Sequence, residues 1–397
     1  MKFKTIFFVL GFFYAGTFSL LSQVHIDGNL NSSVYVWENL EENQNVDFYQ
    51  GIQFRLFHEK YSNIQFKSYL RVGHNGEPSE WNEKVYNSYL DWKSLDKQYE
   101  MKLGRQFLYH GVMNGTVDGM LFSTKATKNL IFKVLAGVPV ASNRKVKVMN
   151  WLDGNVFGGF TSYRISDNFK ANLSYFQKTA SEKSVWEQIG TAVSGKITDN
   201  FQVIAKFDYN LKSSDYQNMR YRVIYFNNKL TVSAEYNSQK PRVLENSFFR
   251  IFEIEAFNQI RSSISYQLGD YQLRLRNYYT MYEDENTNQM QFSVANRLGL
   301  IGVIYQNGYA GDNMGVFGEI NYNLFSNMSV KLYSSYNKFQ IQSIDIDEEA
   351  LSFLGRLQYH AFKDLDLQLE IQESQNSYFK NDVRGLFRLN YRFTHVL

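Results

Sequence analysis

The sequence predicts an all-β chain: a transmembrane, antiparallel, up-and-down β-barrel with an even number of strands, about 18–22. Three observations predict it. Apolar and polar side chains alternate along nearly the whole chain. The connections between alternating segments are short and long by turns. An apolar leader stands before the first such segment.

The leader comes first. Lys2 and Lys4 precede the apolar run Ile6 to Phe13, and small and polar residues follow to Ser22. A charged, then apolar, then small-residue order is that of a secretory signal peptide. Leu20 and Ser22 suit cleavage before Gln23, so residues 1–22 are read as the signal and 23–397 as the barrel. With no cysteine in 397 residues, lipid attachment, disulfides, thiolate metal sites and thiol nucleophiles are excluded. Lys and Arg number 42 against 39 Asp and Glu, and the leader removes two of the cations. The nearly neutral remainder has no electrostatic footprint for nucleic acid. Only three prolines are present, which argues against disordered linkers.

Period-two alternation then runs through the chain. Val24, Ile26, Leu30, Val34 and Val36 oppose His25, Asp27, Asn29, Asn31 and Ser33. Ile64, Phe66, Leu70 and Val72 oppose Gln65, Lys67 and Arg71. Phe201 to Leu211, Tyr271 to Tyr279 and Leu365 to Ile371 repeat the pattern. Successive side chains of a strand point to opposite faces, so each segment has one apolar and one polar face. The polar faces carry Arg, Glu, Asp and Gln strand after strand, while the apolar faces end in aromatics, which make up 17% of the chain. Lipid outside, water inside and aromatic girdles at both interfaces account for that distribution. A β-solenoid would need a short fixed repeat, and none is found.

Short turns fall at Ser166–Asn168, Asp199–Asn200, Asn227–Lys229, Gly269–Asp270 and Phe325–Asn327. Gly, Asn and Asp suit the backbone that tight hairpins require. Longer polar stretches at 74–84, 139–153, 238–247, 338–350 and 375–382 fall between them, and would face outside. This parity holds to residue 288 and then demands a turn near Arg297–Leu300, which brings the count to 22. The last segment alternates Phe387, Leu389, Tyr391 and Phe393 with Arg388, Asn390 and Arg392. Outer-membrane barrels resemble one another in closing with such an aromatic-rich strand, which barrel-assembly machinery reads. Their usual last residue is Phe, and here it is Leu397. The alternation begins just after Ser22, leaving no room for a plug domain ahead of the barrel.

A barrel of this size encloses a lumen too wide for the wall to fill. By alternation its face includes Arg55, Lys67, Arg71, Lys206, Arg220, Arg222, Arg261, Arg274, Arg276, Arg388 and Arg392. Asp208, Glu235, Glu253, Glu255, Glu319, Asp366 and Glu370 share it. Two accounts stay open: a path for solutes or polyanions, and a wall of paired charges around water. Between Leu103 and Pro139 stand Gly104-Arg105-Gln106, Gly111, Gly115, Asp118-Gly119 and Gly137-Val138-Pro139. This stretch resembles porin-like bacterial outer-membrane barrels, alginate-export-type barrels among them. The resemblance implies a conducting role and carries no substrate. Physically, Gly111 and Gly115 let the chain bend from the wall into a loop. Arg105 is placed to pair with Asp118 and hold that loop, which becomes a constriction if it turns inward.

Catalytic and metal chemistry find no pattern. The six histidines (His25, His58, His74, His110, His360 and His395) show no ligand spacing, and His74 near Asn75 and Glu77 is the best local cluster. Asp345 and Asp347 with Glu348 and Glu349 lack the central glycine of a calcium loop. Trp81 and Trp151 are read as loop residues, placed for stacking on sugars or for the membrane interface. The expectation is therefore a non-enzymatic outer-membrane channel of a Gram-negative cell, without cofactor or metal. Its partners are membrane lipid, the assembly machinery and the small hydrophilic solutes that diffuse through it. Alternatives are a surface-polysaccharide export or assembly barrel, and a structural or adhesive barrel with a blocked lumen.

Overall fold

A computed structural model describes residues 23–396 except 40–42, 77–78, 241–255, 284, 309–310, 342–345 and 378–380. The proposed signal peptide, Glu253, Glu255, Glu77 and Asp345 lie outside the described residues. The first eleven strands are β1 (Val24–Glu38), β2 (Gln44–His58), β3 (Ile64–Asn75), β4 (Glu80–Lys93), β5 (Tyr99–His110), β6 (Met113–Lys125), β7 (Leu130–Pro139), β8 (Val156–Arg164), β9 (Phe169–Ala180), β10 (Lys183–Thr198) and β11 (Phe201–Asn210). The other eleven are β12 (Asp215–Phe226), β13 (Leu230–Gln239), β14 (Phe257–Leu268), β15 (Tyr271–Met281), β16 (Asn286–Ala295), β17 (Gly299–Gly308), β18 (Asn313–Phe325), β19 (Met328–Ile341), β20 (Ile346–Phe362), β21 (Leu365–Gln375) and β22 (Asp382–Val396). Each pairs antiparallel with the next. β22 returns to β1 from His25↔Val396 to Val36↔Gly385, and the barrel closes without an edge.

The apolar faces point outward and stay exposed. Ile301, Val303 and Tyr305 on β17 and Val316, Ile320 and Tyr322 on β18 are all exposed. An apolar band of this kind is stable only against lipid. Tyr163, Tyr225, Tyr266, Tyr271 and Tyr322 form a girdle near the short turns, and Phe48, Tyr305 and Tyr336 lie nearer the other rim. The turn expected after residue 296 is present between β16 and β17, and parity holds to the last strand. The rim differs from expectation in one respect. Strands run into stretches read as loops: β3 and β4 leave only residues 76–79 between them, and β19 and β20 only 342–345. Trp81 is thus a β4 residue opposite His74, and Pro139 ends β7 opposite Val117. Backbone pairing outlasts the membrane band wherever neighbouring strands continue together, so polarity on both faces does not end a strand.

Candidate pore constriction and lumen wall

One hairpin leaves the wall. The β4–β5 ladder ends at Ser88↔Arg105, and the β6–β7 ladder begins at Val117↔Pro139. Beyond those rungs β5 and β6 pair only with each other, up to His110↔Met113. Gly104 supplies the bend with a φ of 123°, a region that costs any residue with a Cβ dearly. A Cβ there would lie 2.4 Å from the Ser88 carbonyl oxygen.

The tip lies inside. Leu173 and Ile189 are exposed on the outer face, so their neighbours Ser174 and Gly190 face the lumen. The Val112 N–H donates to Ser174 Oγ at 3.0 Å, and the Ser174 hydroxyl donates to the Gly190 carbonyl at 3.2 Å. A Cβ on Gly190 would sit 2.5 Å from Val112 Cγ1, so only glycine admits the tip there. Leu108, Val112, Met113 and Val117 of the hairpin pack with Leu121, Leu135, Val156, Phe176 and Trp186 in a dry cluster. Burying such side chains contributes about 1.5–3 kcal/mol each. Phe107 and Tyr109 alternate with Gln106 and Leu108, and stay exposed on the hairpin's other face.

The segment that follows β7 takes the place the hairpin vacates. Val140 N–H donates to the Thr116 carbonyl at 3.1 Å, and Val85 N–H on β4 to the Arg144 carbonyl at 2.9 Å. Arg105 ties the two together. Its guanidinium donates from Nε to Asp118 Oδ1 and from Nη2 to Asp118 Oδ2, both at 2.7 Å. Nη1 donates to the Lys145 carbonyl at 2.7 Å and the Arg144 carbonyl at 3.2 Å. The side chain is 5% exposed. Only a planar group with five fixed donors can fork onto a carboxylate and serve carbonyls from its other edge. Beyond the pair itself, then, Arg105 holds an inward hairpin and the segment that covers it.

The other site candidates stand along the lumen wall. Glu235, buried on β13, is reached by Arg220 at 2.8 Å, Arg261 at 3.3 Å and Arg222 at 3.8 Å. Arg274 donates to Gln272 Oε1 at 2.7 Å and Arg276 to Gln291 Oε1 at 3.4 Å. Of the five arginines on β12, β14 and β15, three therefore share one carboxylate and two meet amides among the described residues. Most of the other candidates are paired. Lys206 meets Asp208 and Lys67 meets Asp91, each at 2.7 Å, Arg392 meets Asp366 at 3.7 Å, and Arg55 meets Asp27. Glu319 takes Lys331 and Glu370 takes Arg356, both at 2.7 Å. Arg71 lies over the Tyr49 ring at 4.3 Å, and Arg71 and Arg388 line one wall cavity of about 460 Å³.

At the rim, His74 Nε2 lies 3.3 Å from Ser79 Oγ, edge-on to Trp81. Among the described residues no carboxylate meets that imidazole, and none of them form a cluster of three metal-ligating side chains. Asp347 is held by Lys338 at 2.8 Å. Sequence reasoning missed the seat of the hairpin, Ser174, Phe176, Trp186 and Gly190. It also missed Arg144. The available signal was apolar residues (Leu108, Leu121, Leu135, Phe176) on a face that is otherwise polar.

No protein-family model and no curated protein matches the chain. Solved structures do. The translocation pore of the P pilus usher PapC is similar over 93% of this chain and 99% of its own, at 9% identity and a TM-score of 0.51. The outer-membrane protein OpdK of Pseudomonas aeruginosa matches 94% of this chain and 100% of its own, at 9% identity and a TM-score of 0.46. OccAB3 of Acinetobacter baumannii covers 94% and 100%, at 10% identity and a TM-score of 0.43. Identities this low carry the large-barrel fold alone.

Proposed function

We propose that this chain is an outer-membrane channel that lets small hydrophilic solutes diffuse passively through a water-lined lumen. The hairpin 106–116 sets the size limit, and the arginines of β12–β15 favour anions. One observation carries the reading. The lumen face is polar and charged around the barrel, and the described apolar cluster on it is confined to the seat of one hairpin. A blocked barrel would need that dry packing to extend across the interior, since a wall of this many strands cannot fill its own lumen. Three arginines around Glu235, with Arg274 and Arg276 beside them, leave a surplus of positive charge among the described residues that attracts anions. Residues 1–22 serve in this reading as the export signal, and membrane lipid and the assembly machinery as partners. The same arginines would suit an exported acidic polymer, which needs a basic track through the whole pore. The paired Lys67–Asp91 and Lys206–Asp208 interrupt such a track. The reading is non-enzymatic.

Single-channel recording of the refolded mature barrel tests it. A stable open conductance with anions preferred is expected. A folded, heat-modifiable barrel without conductance would overturn the channel in favour of a blocked or gated barrel.

A further inference from the structure

Arg71 and Arg388 bring two positive charges to one wall cavity of about 460 Å³, between β1, β2, β3 and β22. Among the described residues neither meets a carboxylate. Asp47, an acid on β2 of this wall, is held by neutral donors. It accepts from Trp37 Nε1 at 3.2 Å, the Tyr49 hydroxyl at 3.1 Å and the Gly76 N–H at 2.8 Å. The cavity lining itself holds these two guanidinium groups and no acid, so its own charge is positive. The remaining lining is of two kinds. Tyr35 and Tyr69 offer ring faces and hydroxyls, Tyr49 carries Arg71 on one ring face, and Asn29 and Gln53 offer amides. Asn29 Oδ1 is buried and has no hydrogen-bond partner among the described residues.

The tyrosines are fixed. Tyr69 stacks on Tyr86 with centroids 4.6 Å apart and planes at 20°, and Arg144 lies over Tyr86 at 4.6 Å. Arg144 belongs to the segment that Arg105 ties down. Through Tyr86 and Arg144 the cavity thus borders the segment that Arg105 ties to the hairpin.

We propose that this cavity is a subsite for a sugar-sized, hydroxylated solute bearing one anionic group, carboxylate or phosphate. The proposal rests on the reading of the barrel as a solute channel. The two guanidinium groups bind the anion through charge-assisted hydrogen bonds, as planar forks suited to either oxyanion. The tyrosine faces take the apolar face of the ring. The amides serve hydroxyls as both donors and acceptors. The volume falls in the range of small-molecule sites.

The test uses the refolded barrel in planar bilayers with glucose 6-phosphate, glucuronate, glucose and inorganic phosphate. Glucose 6-phosphate or glucuronate should interrupt the current at concentrations where glucose and inorganic phosphate do not. Whichever acts at the lower concentration identifies the anion. Arg71→Gln and Arg388→Gln should each require roughly tenfold more of it, the loss of one hydrogen bond to a charged group. Inorganic phosphate acting as well as the sugar phosphate would overturn the proposal, and so would variants that block like the parent. An open pore that neither sugar acid interrupts sinks the subsite and leaves the channel standing. If a folded barrel fails to conduct, equilibrium titration of the same four compounds in detergent decides. Saturable binding of a sugar acid that both variants weaken retains the cavity and removes the channel, and its absence overturns the cavity too.

Discussion

On the inner face of β8–β10 the lumen positions include Ser174, Gly158 and Gly190, and a second layer of chain lies on them. On the inner face of β12–β15 the same kind of position holds Arg220, Arg222, Arg261, Arg274 and Arg276, and among the described residues no apolar cluster covers them. Both walls are strands with period two. The difference is the kind of inward residue: small ones beside the apolar Val156, Phe176 and Trp186 on one wall, long cations on the other. Small residues admit a close second layer and expel water, so apolar side chains become stable there. Long cations keep water and field in the lumen. In the channel we propose, one side of the barrel sets what fits, and the other sets which charge prefers to enter.

The largest expected effect comes from removing the tie between layers. Arg105→Ala leaves Asp118 buried without its partner and several carbonyls without donors, and should destabilise the barrel by about 3–5 kcal/mol. Urea unfolding in detergent measures the loss. Single-channel current should rise in the same variant, because the hairpin loses its hold on segment 140–148. An unchanged conductance would mean that the dry cluster alone holds the hairpin inward.

Phe176→Ala comes next. The ring is almost wholly buried beneath the hairpin, and its loss should cost about 3–5 kcal/mol, at the lower end where the tip can settle into the space. The comparison sharpens if this variant also admits larger polyethylene glycols, tested by polymer exclusion. On the bare wall, Glu235→Gln should do the reverse of both. It frees the three arginines of their shared carboxylate, and the reversal potential should shift further toward anions. The stability cost on that wall is smaller, about 1 kcal/mol, because the arginines remain partly in water. A shift toward cations would break the contrast between the two walls.

The legibility of the two walls differed in the same way. The bare wall could be read directly, because Arg274 and Arg276 alternate with Leu273 and Leu275 and alternation is local. Even the hidden turn at 296–298 followed from parity. The layered wall could not be read this way. Gly111 and Gly115 marked a bend, which the structure starts earlier at Gly104, and Arg105 and Asp118 marked a pair, but the receiving surface is Ser174 and Gly190, far along the chain. Small residues in a strand look alike whether they receive a second layer or merely bend. Rim strands were also under-read, since pairing at Asn75↔Glu80 and at Gln340↔Asp347 needs no apolar face. Cysteine at Ser79 should label from outside whole cells and cysteine at Asn327 only after permeabilisation. The opposite result would invert the barrel and place the constriction at the other membrane face.

The smallest effect sits at the far end of the strand that leaves the wall. β5 keeps only the rungs from Ser88↔Arg105 to Lys93↔Glu100 with β4, so the turn between them carries an unusual share of that pairing. Asp96 closes this turn. Its carboxylate accepts from the Ser94 hydroxyl and from the Gln98 N–H at 3.0 Å, and these bonds hold its pKa below the ordinary value. A depressed carboxylate stabilises the folded turn above its unfolded pKa, and that contribution disappears as the pH falls through the folded one. Asp96→Asn should therefore speed amide exchange along the β4–β5 rungs at neutral pH. The difference from the parent should vanish in acid, below the ordinary carboxylate range. An equal difference at both ends of the pH scale would assign the effect to turn geometry rather than to the charge.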